Sequence, residues 1–222
     1  MANVNKIEQY NKGTVFPDSY EETYLATKHI SDIKLNISND VFHELKRKID
    51  EKGLYFGDDS VLRNIIAGII KGNIVLQGPP GTGKTTLAKI ICEVFGVSYT
   101  EATANSDWTT YDSIGGLQPA ANDEGKEVIE GKNGYVVSSV LKCCDLIVKN
   151  ENDDCVIQGN WLILDELNRC EIDKVFGDLF TALGSDATGA EKIINLWYQK
   201  DENKKMIYIP NRYRIIGAMN NV

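Results

Sequence analysis

From Ser38 onward, the hydrophobic positions fall into helical and strand periods that can be followed to the end of the chain. Ser38, Asn39 and Asp40 are capping-type residues ahead of Val41, Phe42, Leu45 and Ile49, a spacing that predicts a helix ending at Gly53. Asp58, Asp59 and Ser60 open a second helix, carrying Val61, Leu62, Ile65, Ile66, Ile69 and Ile70 and stopping at Lys71-Gly72. From Asn73 the texture changes. Ile74 to Leu76 reads as a short buried strand, Leu87 to Phe95 as a helix closed by Gly96, and Val97 to Ala102 as a second strand. Trp161 to Leu164 is a third strand, followed by a helix with Ile172, Val175, Phe176, Leu179, Phe180 and Leu183; Tyr213 to Met219 is a fourth. Strands separated by helices need crossover connections, so the pattern predicts an α/β domain with a mainly parallel sheet covered on both faces.

Two segments interrupt this alternation. "EVIEGKNGYVV" places Asn133-Gly134 between β-favouring runs, a hairpin signal, and "IINLWYQKDENKKMIYIP" has two β-rich arms around a charged tip. Both read as hairpins inserted into the α/β frame, or as surface decoration of it. Residues 1 to about 37 are mixed and polar, with Gly13 and Pro17 breaking any early period.

Composition narrows the class. The 222 residues, 42% hydrophobic, suffice for one domain with a sizeable core. No apolar run approaches the roughly 18 residues of a membrane span, and the first residues lack the apolar stretch of a signal peptide. The five cysteines are odd in number and have no CxxC or CxxH spacing, and neither of the two histidines lies near one. That argues against a zinc or disulfide framework and points to reduced thiols in a cytoplasmic protein. A net charge of -8 argues against a surface that coats nucleic acid, though not against a local basic patch.

The stretch "GPPGTGKTT" changes the picture most. Gly78 to Thr85 fits G-x-x-x-x-G-K-[ST], with a strand before it and an amphipathic helix after it. Glycines at these positions let consecutive backbone N–H groups converge on an anion at a helix N-terminus. Gly78, Pro79, Pro80, Gly81, Thr82, Gly83, Lys84, Thr85 and Thr86 therefore form a candidate phosphate cradle. Lys84 supplies charge to the β and γ phosphates, and the Thr85 hydroxyl is placed to ligate Mg2+. A nucleoside triphosphate is the expected ligand; the loop reads phosphates and leaves ATP or GTP open.

Hydrolysis needs an acid near the metal and a base for water. In "WLILDELNR", Asp165 and Glu166 follow four apolar residues, at the carboxyl end of a buried strand, where α/β sheets place ligands. Asp165 is the candidate metal residue and Glu166 the candidate general base.

The motifs "GPPGTGKT", "LILDELNR" and "RIIGAMNN" occur in the order and spacing of the AAA+ ATPases, which the chain resembles over about residues 54–222. "DELNRCEIDKVFGDLFTAL" and "TTYDSIGGLQP" are similar to the dynein-related, MoxR- and McrB-like branch, as are the positions of the hairpins near Asn133 and Lys204. The resemblance implies a three-layer α/β/α P-loop NTPase with sheet order 5-1-4-3-2, of which strand 5 and a helical lid are absent here. An N-terminal extension over 1–53 would precede the core over 54–222. It further implies that Asn220 orients the water near the γ-phosphate, that Asn168 and Arg169 lie near a subunit interface, and that Phe56-Gly57 lines the adenine. The implied assembly is an oligomeric ring, a hexamer in the full-length protein, with nucleotide between subunits. It would act on a protein substrate or with a partner subunit, DNA being an open alternative, and away from membranes.

The chain departs from that pattern where "MNNV" stands in place of "MNTADR": Asn221 replaces a threonine and no arginine follows. With no candidate arginine finger, the expectation is a fragment of a longer protein that holds nucleotide but turns it over poorly alone, or a nucleotide-dependent scaffold that needs a partner. The missing strand 5 would also leave the first strand as an exposed sheet edge. Cys143-Cys144 on a helix, and Trp108, Trp161 and Trp197, read as packing residues. Arg212 and Arg214 read either as exposed alternating arginines or as groups serving an adjacent subunit, and Lys204-Lys205 as solvated charge or a substrate contact.

Overall fold

The computed structural model describes residues 27–28, 30–55, 58–121, 125–184, 191–200 and 205–220. Helix α1 (Val41–Glu51) and helix α2 (Asp59–Lys71) lead into strand β1 (Ile74–Gly78), helix α3 (Lys84–Val94) and strand β2 (Ser98–Thr103). A single turn α4 (Thr110–Ser113), strands β3 (Gly115–Ala121) and β4 (Glu127–Asn133), helix α5 (Tyr135–Glu151) and strand β5 (Asn160–Asp165) follow. The remainder comprises short helices α6 (Ile172–Phe176) and α7 (Phe180–Leu183), and strands β6 (Ile193–Asn195), β7 (Met206–Tyr208) and β8 (Ile215–Asn220).

The central sheet is parallel, in the order β1-β8-β5-β2. The four strands expected from the sequence are thus all present, and they stand in the order 1-4-3-2 that the family resemblance implied. Alternation of side chains divides the interior in two. On β5, Trp161 and Ile163 face a cluster with Leu45 and Ile49 of α1, Leu62, Ile66 and Ile69 of α2, and Leu87 and Ile91 of α3. Leu162 and Leu164 face the other cluster, with Val140, Cys144 and Ile147 of α5 and Val175 and Phe176 of α6. These are the three layers of an α/β/α fold. Strand β1 pairs only with β8 among the described residues, and its Val75 is 53% exposed.

Both insertions are hairpins, β3 with β4 and β6 with β7, but the first does not turn where the sequence suggested. Asn133 ends β4 and Gly134 precedes α5, so the run after Gly134 is helical and the hairpin turns between Ala121 and Glu127. Two forces decide this. Val136, Val137, Val140, Cys143, Cys144, Ile147 and Val148 form one fully buried helical stripe, which outweighs the β preference of Val. Gly134 itself is required by close approach: a Cβ there would lie 2.6 Å from the Asp112 carbonyl oxygen and the Ser113 backbone. We expect Gly134→Ala to cost about 1–3 kcal/mol, because backbone rather than a flexible side chain must give way; a urea midpoint unchanged from the parent would contradict it.

Three other expectations are corrected. The helix after Arg169 is not continuous: α6 and α7 are separated by a 3-10 turn, Gly177–Leu179. Trp108 and Trp161 are buried as expected, but Trp197 is 64% exposed. Arg212 and Arg214 are not exposed arginines: Arg212 is 5% exposed and ion-paired to Glu151, and Arg214 bonds the last carbonyls of α2. The cysteines are all free, and burial raises the thiols of Cys92 and Cys143 to about 12, which keeps them unreactive packing groups. No helix among the described residues is long and apolar enough to cross a membrane.

Candidate functional site

The candidate site lies at the carboxyl ends of β1, β8 and β5, where the register sets Gly78 opposite Asn220 and Leu164 opposite Gly217. The loop after β1 is shaped by Gly81 and Gly83, at φ of 75° and 78°, left-handed values that glycine adopts without strain. Gly83 has a second constraint, since a Cβ would come within 2.5 Å of the Leu54 side chain. Helix α3 begins at the next residue, Lys84, so its free N–H groups and positive dipole end open onto the loop.

Lys84 Nζ donates to the carbonyls of Gly78 and Pro79 at 3.1 and 2.8 Å and to Asn220 Oδ1 at 2.9 Å. The Thr85 hydroxyl donates to Asp165 Oδ2 at 2.7 Å, across from β5. A hydroxyl beside a carboxylate is a hard oxygen donor set of the kind Mg2+ takes, so these two residues fit such an ion. Thr82 donates to the Pro79 carbonyl at 2.9 Å and Thr86 is exposed on the first turn of α3. Pro79 and Pro80 are exposed at the mouth of the loop.

Glu166 adopts a left-handed backbone, φ 54°, rare for a residue with a side chain. Its N–H donates to Asp165 Oδ1 at 2.8 Å, which fixes one carboxylate relative to the other. The turn swings the Glu166 carboxylate toward β8, where Asn220 Nδ2 donates to both of its oxygens at 3.3 and 3.2 Å. Arg169 Nε donates to Glu166 Oε2 at 3.1 Å. Asn168 Oδ1 accepts from the Asn220 N–H at 3.4 Å, and both Asn168 and Arg169 are otherwise exposed. One chain of contacts therefore runs Lys84–Asn220–Glu166–Arg169, with Thr85–Asp165 beside it.

A family model described as "AAA domain (dynein-related subfamily)" matches residues 73–222, two thirds of the chain. The chain belongs to the dynein-related subfamily of AAA domains. Over 156 residues this AAA domain is 29% identical to the Type IV methyl-directed restriction enzyme EcoKMcrB subunit of Escherichia coli K12, covering 68% of this chain and 31% of that protein. It is also 29% identical over 101 residues to the chaperone MoxR1 of Mycobacterium tuberculosis, covering 45% and 26%. The chain thus spans about a third or less of the length of these curated relatives. A crystal structure from Cytophaga hutchinsonii overlays on 82% of the chain and 44% of its own, with a TM-score of 0.45 and 20% identity. Membership places the AAA domain among nucleotide hydrolases in general.

Of the residues singled out in the sequence, the AAA domain brings together Gly78 to Thr85, Asp165, Glu166, Asn168, Arg169 and Asn220. Phe56 and Gly57, expected to line the base, lie outside the described residues, as do Lys204 and Asn221. Leu54 beneath Gly83 carried no signal in the sequence: it stands in a short connection between helices, after Gly53 and before Tyr55, with no period to say what it will touch.

Proposed function

We propose that this chain is the nucleotide-binding core of an ATP-hydrolysing AAA+ motor or remodelling protein. The observation that carries the reading is the convergence of Lys84, Asn220 and Glu166 beside the Thr85–Asp165 pair. The residues from Gly78 to Thr86 hold the phosphates through backbone N–H groups, with Lys84 as the mobile charge. Thr85 and Asp165 would hold Mg2+, which would supply positive charge against the phosphates. Glu166 accepts the proton of the attacking water and Asn220 orients that water. Asn168 and Arg169 are exposed at the edge of this site, as groups at a subunit boundary would be; we place the nucleotide between neighbours in a ring, a hexamer in the full-length protein. The DNA-restriction and chaperone roles named for the two relatives make a protein or DNA target equally open.

A second reading has its own observation. Glu166 is held by both Asn220 and Arg169, so its carboxylate is engaged before any water arrives. In that reading the chain binds nucleotide and scaffolds a partner, which must release Glu166 for turnover.

Phosphate release from ATP and from GTP, followed over a range of protein concentrations, tests both. Release that climbs more steeply than protein concentration supports a site completed by self-assembly. No release with either nucleotide at any concentration removes the motor reading. Lys84→Ala should weaken nucleotide binding by about 1.5–3 kcal/mol, roughly tenfold or more, the value of hydrogen bonds to charged groups. Calorimetry checks it, and unchanged affinity would remove Lys84 from the site.

A further inference from the structure

A second pocket lies at the opposite end of the sheet. It occupies about 430 Å³ where Asn73 leads into β1 and Arg214 into β8, and Lys34, Lys71 and Lys192 also line it. Its volume falls within the range of small-ligand sites. Among the described residues that line it there is no aspartate or glutamate, although the chain as a whole carries a net charge of -8.

Among the described residues, none of these four cations is in a salt bridge with a carboxylate. Arg214 spends its donors on carbonyls, Nε on Ile69 at 2.7 Å, Nη1 on Asn211 and Tyr213 at 2.7 Å, and Nη2 on Ile70 at 3.2 Å. Lys192 Nζ donates to Asn211 Oδ1 at 2.7 Å. The Lys192 ammonium is pulled below its ordinary range by burial and then by Arg214, and Asp32 opposes this only in part. Lys34 and Lys71 are exposed at the rim. Lys192 and Arg214, both partly desolvated, repel one another, and an anion in the pocket would join them to Lys34 and Lys71 at the rim.

We propose that this pocket binds a small oligophosphate anion, at a site separate from the phosphate loop. The chemistry favours that class over a carboxylate. The Arg214 fork is already committed to carbonyls, so planar two-point recognition is not on offer, and the lysines act as point charges that suit a highly charged phosphate chain. The pocket's dimensions suit two or three linked phosphates and are too small for a duplex. Strand β1, five residues long, separates the pocket from the phosphate loop by roughly 17 Å at about 3.3 Å per residue.

The test uses the full chain carrying Lys84→Ala, so that the phosphate loop contributes little, titrated with inorganic tripolyphosphate without metal in a calorimeter. One saturable event is expected. Adding Lys34→Gln and Lys71→Gln, both at exposed positions, should weaken it about tenfold or more, and Lys192→Gln further. Orthophosphate should bind much more weakly, and raised salt should weaken tripolyphosphate binding. Absence of binding in the Lys84→Ala protein, or an affinity indifferent to the lysine substitutions, overturns the proposal. So does a single-stranded oligonucleotide that displaces tripolyphosphate at lower concentration, which would make the surface a nucleic-acid contact. Phosphate release by the Lys34→Gln, Lys71→Gln chain reports on the hydrolytic site separately, so failure of one reading leaves the other standing.

Discussion

Glu166→Gln should lower phosphate release about 10²–10⁴-fold while leaving nucleotide affinity within a factor of about two. The substitution keeps the shape of the side chain and an oxygen to accept from Asn220 Nδ2, now at 3.2–3.3 Å from the carboxylate oxygens. It removes the basicity needed to take a proton from water. Its effect on stability should be small: the ion pair it breaks, with Arg169, involves a side chain 63% exposed, and exposed pairs contribute little. Rate and stability therefore separate cleanly in one variant. Arg169→Ala gives the contrast that distinguishes the two functional readings. If Arg169 merely shields the carboxylate, its removal raises the rate; if it serves a neighbouring subunit, its removal lowers the rate and flattens the dependence on protein concentration. Hydrolysis by Glu166→Gln at the parental rate would take Glu166 out of the role of base.

What the sequence made legible follows from how local the signals are. The phosphate loop is a contiguous pattern whose glycines, at Gly81 and Gly83, are demanded by backbone angles alone. The strand ending in Asp165 is an apolar run bounded by charge, buried on both faces. Those features survive any tertiary context. The turn after β4 does not, because Asn133-Gly134 is a hairpin dipeptide only when strands flank it on both sides. Here Gly134 serves the contact with Ser113, and the following valines serve a buried helix stripe. The left-handed turn at Glu166 was equally hidden, since nothing in Asp-Glu-Leu-Asn-Arg asks for a positive φ. It is the price of aiming two adjacent carboxylates at different partners, Asp165 at Thr85 and Glu166 at Asn220.

The arginines before β8 show the same limit from the other side. Alternation made Arg212 and Arg214 look like solvent-facing groups on a strand, but both precede the paired residues and turn inward. Arg214 takes up the carbonyls at the C-terminal end of α2, and with Lys192 it gives the far pocket its charge. The two ends of β8 thus carry opposite duties. Asn220 presents a neutral amide between a lysine and a glutamate, whereas Arg214 presents a cation among carbonyls.

Arg212→Ala should be the most destabilising single change, at about 3–5 kcal/mol, a large share of the 5–15 kcal/mol that holds a typical domain. The guanidinium is 5% exposed and joins three separate segments. Its Nε donates to the Lys34 carbonyl at 2.8 Å and Nη1 to Asn150 Oδ1 at 2.9 Å and the Gln158 carbonyl at 3.2 Å, while Nη2 pairs with Glu151 at 2.5 Å. The Arg212 carbonyl also accepts from the buried Trp161 indole at 2.7 Å. Truncation leaves a carboxylate, an amide and two carbonyls facing a cavity, and unpaired buried groups carry their full desolvation cost. Arg212→Lys keeps the charge but reaches only part of that set, so it should recover less than half of the loss. Glu151→Gln should cost less than Arg212→Ala, because the Glu151 side chain is 25% exposed and water can replace part of the pair. Urea unfolding of the three variants checks the ranking. A loss below about 1 kcal/mol for Arg212→Ala would mean that water enters the site and satisfies all four partners, leaving the guanidinium dispensable to the fold.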